Sequence, residues 1–245
     1  MKTIQSPSAD YQTLVMELVE SRNIIEKFIN SCSHSLRGPL KTIKGLAYVL
    51  EKNNQSESET RKLLKLIDHT AFKMEGVLTQ LEQFLQNSRN EIAVESLDLN
   101  QLVGEVIREH RESLEARFID VAFEVEQDQP FVSDQNKIRL ILSQIISNAI
   151  QFYDNEKARR FIKIKVSVLS SSCEISILDN GIGISHESQD KIFKPFYRGS
   201  EKSQGPGIGL YIAREAIEKI GGRISVDSRQ HLGSKFFLWV PSQAA

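Results

Sequence analysis

The segment EISILDNGIG, residues 174–183, decides how the second half of this chain folds. Residues 174–178 alternate polar and apolar side chains, the pattern of a half-buried strand. Asp179 follows at once, and Gly181 and Gly183 allow a ligand to approach the backbone closely. A carboxylate at a strand end can accept a hydrogen bond from an exocyclic amine such as that of adenine. The same segment also fits a plain hairpin turn, and on its own it does not separate these two interpretations.

The sequence around this segment predicts an α+β domain over residues 95–245, because strand and helix patterns alternate along it. The predicted strands are residues 121–125, 162–168, 174–178 and a closing hairpin of 223–228 and 234–240. The predicted helices are residues 97–114, 138–152 and 210–220.

A second glycine segment, GPGIGL at residues 205–210, opens the helix predicted from Leu210. Backbone N–H groups and the positive end of a helix dipole favour a phosphate at such a position. The spacing is GxGxG after a loop, whereas the dinucleotide fingerprint is GxGxxG after a strand. The segment therefore indicates phosphate binding and excludes a Rossmann site.

Asn148 lies on the predicted helix 138–152, and Gln144 one turn earlier would face the same site. An amide carbonyl is a hard oxygen ligand, and Mg²⁺ is usually held by few protein groups together with substrate phosphates. A surface or capping asparagine is the competing interpretation. The aromatic run at residues 192–199, IFKPFYRG, fits either the edge of this site or core packing.

The first 90 residues predict two long helices, because apolar side chains recur at steps of three and four. A polar break at residues 52–59 separates them, and Ser56 with Glu59 has the spacing of a capping box. Two antiparallel helices with such wide apolar faces cannot bury them alone, so we expect a dimer that closes into a four-helix bundle. The two series are Ile25, Ile29, Cys32, Leu36, Ile43, Leu46, Leu50 and Leu63, Ile67, Thr70, Met74, Val77, Leu81, Phe84, and a parallel stripe contains Leu64, Ala71, Leu78 and Leu85.

His34 lies off the apolar face of the first helix, about 200° of helical rotation from Cys32 and from Leu36. Pro39 stands within the same helical pattern and cannot donate a hydrogen bond to the carbonyl of Ser35. An exposed imidazole beside a weakened helix suits a group that another domain must approach. A helix kink without chemistry is the alternative.

The composition excludes several classes of protein. The formal net charge is −1, so nothing favours nucleic acid or an anionic membrane as partner. The two cysteines, Cys32 and Cys173, lack CxxC spacing, which argues against a disulfide framework or a cysteine-rich metal site. No apolar run reaches the ~18 residues that span a bilayer, and the N-terminus lacks a signal-peptide pattern. We expect a soluble, cytoplasmic chain.

Five segments in order resemble the sensor histidine kinases of two-component signalling. Residues 33–40, SHSLRGPL, are similar to the phosphoacceptor box SHELRTPL. Residues 144–152 resemble the asparagine box and 179–183 the first glycine box. Residues 193–196 resemble the phenylalanine box and 205–210 the second glycine box. The likeness runs from about residue 21 onward.

The resemblance implies a multi-domain chain, in which an all-α hairpin that forms a dimeric four-helix bundle precedes a two-layer α+β sandwich of the Bergerat ATP-binding type. The expected boundaries are an incoming coiled-coil helix at 1–20, a dimerisation and histidine phosphotransfer domain at 21–92, and a catalytic ATP-binding domain at 95–245. The implied cofactors are ATP and Mg²⁺. The implied partners are a second copy of the chain, a response-regulator receiver domain, and a sensor protein or sensor domain.

The resemblance also implies roles for individual residues. His34 is the phosphoacceptor, with Ser35 and Arg37 beside it, and its neutral imidazole attacks the γ-phosphorus. Asn148 coordinates Mg²⁺, Asp179 binds the adenine amino group, and a mobile ATP lid covers residues 197–204. The implied nucleotide-binding residues are Gln144, Asn148, Gln151, Phe152, Asp179, Gly181, Gly183, Ile184, Phe193, Phe196, Arg198, Gly205, Gly207, Gly209, Leu210 and Ser234.

The sequence departs from the family pattern at four positions. Ser35 stands where an acidic residue usually follows the histidine, and general acid–base assistance is typically worth ~10²–10⁴-fold. Gly38 stands where Thr or Asn usually holds the hydrolytic water of the phosphatase reaction. Gln144 replaces a common Asn, and Gln151 replaces a common basic residue, for which Lys194, Arg198 or Lys202 could compensate.

Three functions are therefore open. The first is an active histidine autokinase that passes its phosphoryl group to a response-regulator aspartate. The second is a degenerate relative that acts as an ATP-binding dimeric scaffold without efficient transfer, for which Ser35 and Gly38 speak. The third is another Bergerat-class ATPase, against which the hairpin with His34 speaks.

Overall fold

A computed structural model of the chain describes residues 9–52, 56–89, 92–200, 203 and 205–243. The chain divides into two compact units, Met1–Leu78 and Thr79–Ala245. The order of elements is α1 (Ala9–Lys52), α2 (Glu57–Arg89), β1 (Val94–Leu97), α3 (Leu99–Glu109), α4 (Arg111–Glu115), β2 (Ile119–Glu126), β3 (Phe131–Asp134), α5 (Gln135–Gln151), β4 (Arg160–Val168), β5 (Ser172–Asp179), α6 (His186–Gln189), α7 (Gly209–Lys219), β6 (Arg223–Arg229) and β7 (Gly233–Pro241).

The N-terminal unit contains the helical hairpin that the sequence predicted. Helix α1 runs for 44 residues and continues through Pro39. Helix α2 begins with the predicted capping box, since the Ser56 N–H donates to Glu59 Oε2 at 3.0 Å and the Glu59 N–H donates to Ser56 Oγ at 3.3 Å. These two bonds satisfy backbone donors that the first turn of a helix leaves free.

The hairpin leaves part of its apolar surface exposed. Phe28, Cys32 and Val77 are buried, but Ile29 is 55% exposed and Leu64 is 52% exposed. The series from Leu63 to Phe84 is the less exposed side of α2, whereas the parallel stripe is open to solvent. A single chain therefore does not cover both predicted stripes of α2.

The second unit is an α+β sandwich. Its main sheet has the strand order β2-β4-β5-β7-β6, in which only β2 and β4 run parallel. Strands β1 and β3 form a separate antiparallel pair. Alternate side chains of β4, β5 and β7 point inward, as a half-buried sheet requires.

Helices α3, α5 and α7 contribute the other side of the core. Buried side chains of the sheet and of these helices form one cluster, which includes Val103, Ile145, Ile217, Ile164 and Val240. Helix α3 begins at Leu99 because the Asp98 carboxylate accepts a hydrogen bond from the Gln101 N–H at 2.9 Å. Asp134 caps α5 in the same way through the Lys137 N–H.

The prediction of one helix over residues 97–114 is wrong at its start and in its interior. Leu97 belongs to β1, since Asp98 is the N-cap that starts α3. His110 then ends α3 and precedes the short helix α4, so the predicted helix is two helices with a break between them. Strands β1 and β3 and helix α6 were not predicted, because four-residue elements carry too few side chains to show a period.

Some expectations lie partly outside the described residues. Residues 1–8 of the predicted incoming helix are outside them, and so are Lys202 and two further residues of the predicted lid at 197–204. The division between the two compact units falls within α2, and the domain boundary expected near residue 92 stays a prediction. None of the helices in the described part of the chain is long and apolar enough to cross a membrane.

Candidate functional site

The second unit contains a cavity of about 430 Å³. This volume is within the range of small-molecule sites, roughly 300–1,000 Å³. The wall combines side chains from α5, from the end of β5 and from the segment that opens α7, which are far apart in sequence. It includes Asn148, Gln151, Phe152, Asp179, Gly183, Ile184, Gly207, Gly209, Leu210 and Ser234.

Asp179 ends β5 in the middle of the sheet, paired with Ser234 of β7. Its side chain is only 8% exposed, and its Oδ1 accepts a hydrogen bond from the Gly181 N–H at 2.8 Å. Burial raises the pKa of Asp179 to about 6, while hydrogen bonds from the Gly181 and Ser234 backbones and the charge of Lys157 act in the opposite direction. A buried carboxylate at a cavity wall is a strong acceptor for an N–H group of a ligand.

The first glycine segment packs too tightly for larger side chains. A Cβ on Gly181 would lie 2.4 Å from the Phe152 carbonyl oxygen, and one on Gly183 would lie 2.0 Å from the Arg229 carbonyl oxygen. Gly183 also has a φ of 70°. Both glycines therefore serve to bring the β5–α6 loop against neighbouring backbone beside the cavity.

We expect Gly183→Ala to lower the free energy of unfolding by at least about 2–4 kcal/mol, because the new methyl group meets backbone at a left-handed φ. The matched control is Gly104→Ala in helix α3. A Cβ there lies 3.6 Å from Arg108 and 3.9 Å from Phe123, so we expect a gain of about 0.5–1 kcal/mol from helix propensity. Urea unfolding measures the free energy of unfolding of both variants. If Gly183→Ala were as stable as wild type, Gly183 would not be packed against the Arg229 backbone as described.

Asn148 supplies an amide at the other side of the cavity. Its Nδ2 is buried and has no hydrogen-bond partner among the described residues. Gln144, one turn earlier, is buried, and its Nε2 donates to Gln83 Oε1 at 2.7 Å. A Cβ on Gly209 would lie 2.6 Å from Gln144 Oε1 and 4.0 Å from Asn148 Nδ2. The unpartnered Nδ2 is a hydrogen-bond donor, so beside the start of α7 it fits a phosphate oxygen, and the Oδ1 of the same amide is the atom that would ligate Mg²⁺.

The aromatic run at residues 192–199 contributes both to the core and to the position of the second glycine segment. Phe193 is buried, and its ring packs edge-on against that of Phe236 at a centroid distance of 6.4 Å. The Phe196 N–H donates to the Gly207 carbonyl at 2.9 Å, which ties this run to the second glycine segment. Arg198 donates to the Ser203 carbonyl. Phe193 therefore belongs to the core.

Six of the predicted nucleotide-binding residues lie outside the cavity wall. Gln144 and Gly181 support wall residues from behind, as their contacts with Gly209 and Phe152 indicate. The set consists of Gln144, Gly181, Phe193, Phe196, Arg198 and Gly205, and their roles stay predictions.

The cavity wall also includes residues outside the predicted nucleotide-binding set. Tyr197 donates from its hydroxyl to Ser188 Oγ at 3.0 Å, and Ser188 Oγ lies 2.8 Å from Ser185 Oγ. Gln80 of α2 and His231 of the β6–β7 turn also contribute. Ser188 lies within the glycine-rich stretch of residues 179–209, whereas no sequence pattern in α2 pointed to Gln80.

His34 lies in the N-terminal unit on α1. It is exposed, as the position off the apolar face predicted, and its neighbours Cys32 and Leu36 are buried and half-buried. Ser35 is half-buried, and Arg37 and Gly38 are exposed. An exposed neutral imidazole has a free ring nitrogen that can act as a nucleophile.

The C-terminal part of the chain matches a known protein family. Residues 133–244 match the histidine kinase-, DNA gyrase B-, and HSP90-like ATPase family. The sensor histidine kinase ZraS of Escherichia coli is 28% identical over 210 residues, which cover 85% of this chain and 44% of ZraS. The sensor protein kinase WalK of Staphylococcus epidermidis is 28% identical over 234 residues, which cover 89% and 36%. The chain thus spans less than half the length of these relatives.

Solved structures of histidine kinases are also similar to this chain. The nucleotide-free catalytic domain of histidine kinase ThkA is 28% identical to this chain, with a TM-score of 0.54, over 62% of this chain and 99% of that domain. Histidine kinase ThkA in its complex with the response regulator protein TrrA shares the fold of nearly the whole chain, with a TM-score of 0.74 at 23% identity, over 98% of this chain and 68% of that one. Residues 133–244 therefore form a histidine kinase-, DNA gyrase B- and HSP90-like ATPase domain, and over most of its length the chain is similar to sensor histidine kinases.

Proposed function

We propose that this chain is the catalytic core of a sensor histidine kinase, which phosphorylates itself on His34 with ATP and then passes the phosphoryl group to a response-regulator aspartate. The observation that carries the proposal is the convergence of Asp179, Asn148 and the two glycine segments on one cavity. An exposed histidine on a helical hairpin in the same chain adds the acceptor.

The cavity suits a purine nucleotide with its base toward Asp179 and its phosphates toward Asn148. The carboxylate of Asp179 accepts from the adenine amino group, because it is buried, whereas the other two wall carboxylates, Asp154 and Glu156, are more exposed. The N–H groups at the start of α7 face the phosphates with the positive end of the helix dipole. Mg²⁺ held by the Asn148 amide oxygen would offset charge that develops on the phosphates.

The transfer step needs a nucleophile and an orienting environment. A neutral ring nitrogen of His34 attacks the γ-phosphorus, the bond from that phosphorus to the bridging oxygen breaks, and ADP leaves. The imidazole proton passes to solvent or to a nearby base, because Ser35 carries no carboxylate. We propose Ser35 and Arg37 as the residues that flank and orient this ring.

We further propose that the chain works as a homodimer through the hairpin. Ile29, Leu64 and Leu78 are exposed in the single chain, and pairing two hairpins would bury them in a four-helix bundle. Light scattering should then give twice the 27.8 kDa of one chain. A mass of one chain at micromolar concentration would contradict the dimer.

The proposed partner of the phosphorylated hairpin is a response-regulator receiver domain, and the similar histidine kinase ThkA was solved in complex with the response regulator protein TrrA. Such signalling takes place where ATP and the regulator meet, and we propose the cytoplasm as that compartment. The input would come from a sensor protein or a sensor domain.

One labelling experiment tests the proposed function. The chain is incubated with γ-labelled ATP and Mg²⁺, and the protein-bound label is examined for stability in acid and base. Acid-labile, base-stable label on the protein supports the autokinase, because phosphorus bound to a ring nitrogen has that stability. ATP binding without label would point to a scaffold, and steady phosphate release without label would point to another ATPase of the same fold.

Gly38 gives a prediction on the phosphatase reaction, in which water hydrolyses the aspartyl phosphate of the regulator. We expect wild type to dephosphorylate its regulator weakly, since Gly38 has no side chain to hold a hydrolytic water. A Cβ on Gly38 would have no atom within 4 Å, so Gly38→Thr fits, and we expect it to raise the dephosphorylation rate at least about tenfold by positioning that water. Gly45→Thr, on the same helix with equal space, is the control. A wild-type rate that Gly38→Thr does not change would refute the prediction.

A further inference from the structure

Three amide side chains near the end of α2 share one face of the helix. Gln80, Gln83 and Asn87 are spaced by three and four residues, so they lie in one stripe. All three lie within the same compact unit as the ATPase fold. Each faces a different part of that fold.

Asn87 anchors the stripe. Lys137 Nζ donates to Asn87 Oδ1 at 2.8 Å and to its carbonyl oxygen at 3.4 Å, and Lys219 Nζ donates to the same carbonyl. Carbonyls in the last turn of a helix lack intrahelical partners and carry partial negative charge, so two ammonium groups stabilise this end. Asn87 is only 5% exposed. The anchor therefore holds the last turn of α2, which belongs to the second unit, against α5 and α7.

Gln83 connects the stripe to helix α5. It accepts the Nε2 hydrogen bond of Gln144 at 2.7 Å. The other end of the Gln144 amide lies against Gly209, at the start of α7, and Asn148 is one turn further along α5. A chain of amide contacts thus runs from α2 to the phosphate side of the cavity.

Gln80 lies in the cavity wall itself. Its Oε1 is buried without a hydrogen-bond partner among the described residues, and it lies 3.2 Å from the position that a Cβ on Gly205 would take. Leaving a buried polar atom unpaired costs about 1–3 kcal/mol, so a side chain with such an atom at a cavity wall is a candidate ligand-binding group. Gly205 opens the segment that leads into α7, which places the Gln80 amide on the phosphate side.

We propose that Gln80 is a nucleotide-binding residue that α2 contributes to the cavity, and that its side-chain amide contacts the terminal phosphate of ATP. The inference rests on the proposed function, because it takes the ligand to be ATP. An amide offers both a donor and an acceptor, and rotation about its last bond turns the donor toward a phosphate oxygen. Binding of a triphosphate would then depend on α2, whereas binding of a diphosphate would not.

The test is calorimetric titration of the full chain with a β,γ-imido analogue of ATP and, separately, with ADP, both in Mg²⁺. We expect Gln80→Ala to weaken binding of the analogue about tenfold, the effect of one hydrogen bond to a charged group. Binding of ADP should change less than about twofold. Gln80→Glu should weaken the analogue further, because its carboxylate repels phosphate. Gln86→Ala, on an exposed face of the same helix, should bind both nucleotides like wild type.

The outcomes separate three conclusions. A loss for the analogue alone supports the inference. An equal loss for both nucleotides, or no loss in either Gln80 variant, overturns it while the proposed function stands. Wild type that binds neither nucleotide overturns the proposed function and this inference with it. Thermal unfolding of each variant shows that any loss of binding is not a loss of fold.

Discussion

Replacing His34 by glutamine is expected to abolish acid-labile labelling from γ-labelled ATP, a loss of at least about 10³-fold. Glutamine keeps a polar side chain at an exposed helical position, so the fold should not change. It has no basic nitrogen with a free lone pair, and therefore it cannot form the bond to the γ-phosphorus. The measurement is label per chain after a fixed time, with ATP affinity measured in parallel.

The control for this exchange is His69→Gln. His69 is a second exposed histidine in the hairpin, on α2. We expect this variant to be labelled like wild type, and both variants to bind ATP with wild-type affinity. Label that persists in His34→Gln would assign the acceptor to another residue, and label lost in both variants would point to general damage to the hairpin.

Replacing Asp179 by asparagine is expected to weaken ATP binding about 10- to 100-fold. The exchange keeps the size of a side chain that is only 8% exposed. It replaces a charged acceptor with a neutral amide, and a hydrogen bond to a charged group contributes about 1.5–3 kcal/mol. A titration with ATP measures the loss. Asp227→Asn, an exposed position on β6, is the matched control and should bind like wild type.

The same exchange is expected to stabilise the protein without nucleotide. Burial raises the pKa of Asp179 from its ordinary 3.8 to about 6. Between about pH 4 and pH 6 the folded chain holds a proton that the unfolded chain has released, so the free energy of unfolding falls as the pH rises. At pH 7 the cost is about 2–3 kcal/mol, and Asp179→Asn removes it because asparagine does not ionise.

Chemical unfolding at pH 4 and pH 7 checks this sign. As the pH rises from 4 to 7, the free energy of unfolding should fall more for wild type than for Asp179→Asn. At pH 7 the variant should have the higher free energy of unfolding. A variant that is less stable than wild type at pH 7 would contradict the burial of a charged carboxylate. Taken with the loss of ATP binding, the expected result means that this carboxylate is kept for the ligand at a cost in stability.

The sequence predicted those elements whose side chains repeat with a clear period. The steps of three and four in α1 and α2 indicated the hairpin, and the alternation in residues 174–178 indicated β5. It also predicted an exposed His34, since rotation about a helix axis follows from spacing alone. The capping box at Ser56 is likewise a local contact, so four residues contain all of it.

Contacts between distant residues could not be predicted in this way. The break at His110 coincides with a tertiary contact, because the ring Nε2 lies 3.0 Å from Ser143 Oγ of α5. The pairing of β1 with β3 joins two four-residue segments more than 30 residues apart. Neither segment has a period of its own, so only its partner identifies it as a strand.

In the candidate site, too, some features followed from local sequence and others depended on tertiary contacts. The residue types at Asp179, Asn148 and the glycines predicted a nucleotide-binding site. Such a site needs a hydrogen-bond acceptor for the base, a hard oxygen ligand for Mg²⁺ and a backbone that the ligand can approach closely. Only the tertiary structure decided that Gln144 supports Gly209 from behind and that Gln80 enters the wall of the cavity. The physical reason is that a side chain's type is local, whereas its neighbours depend on how α2, α5 and α7 pack together.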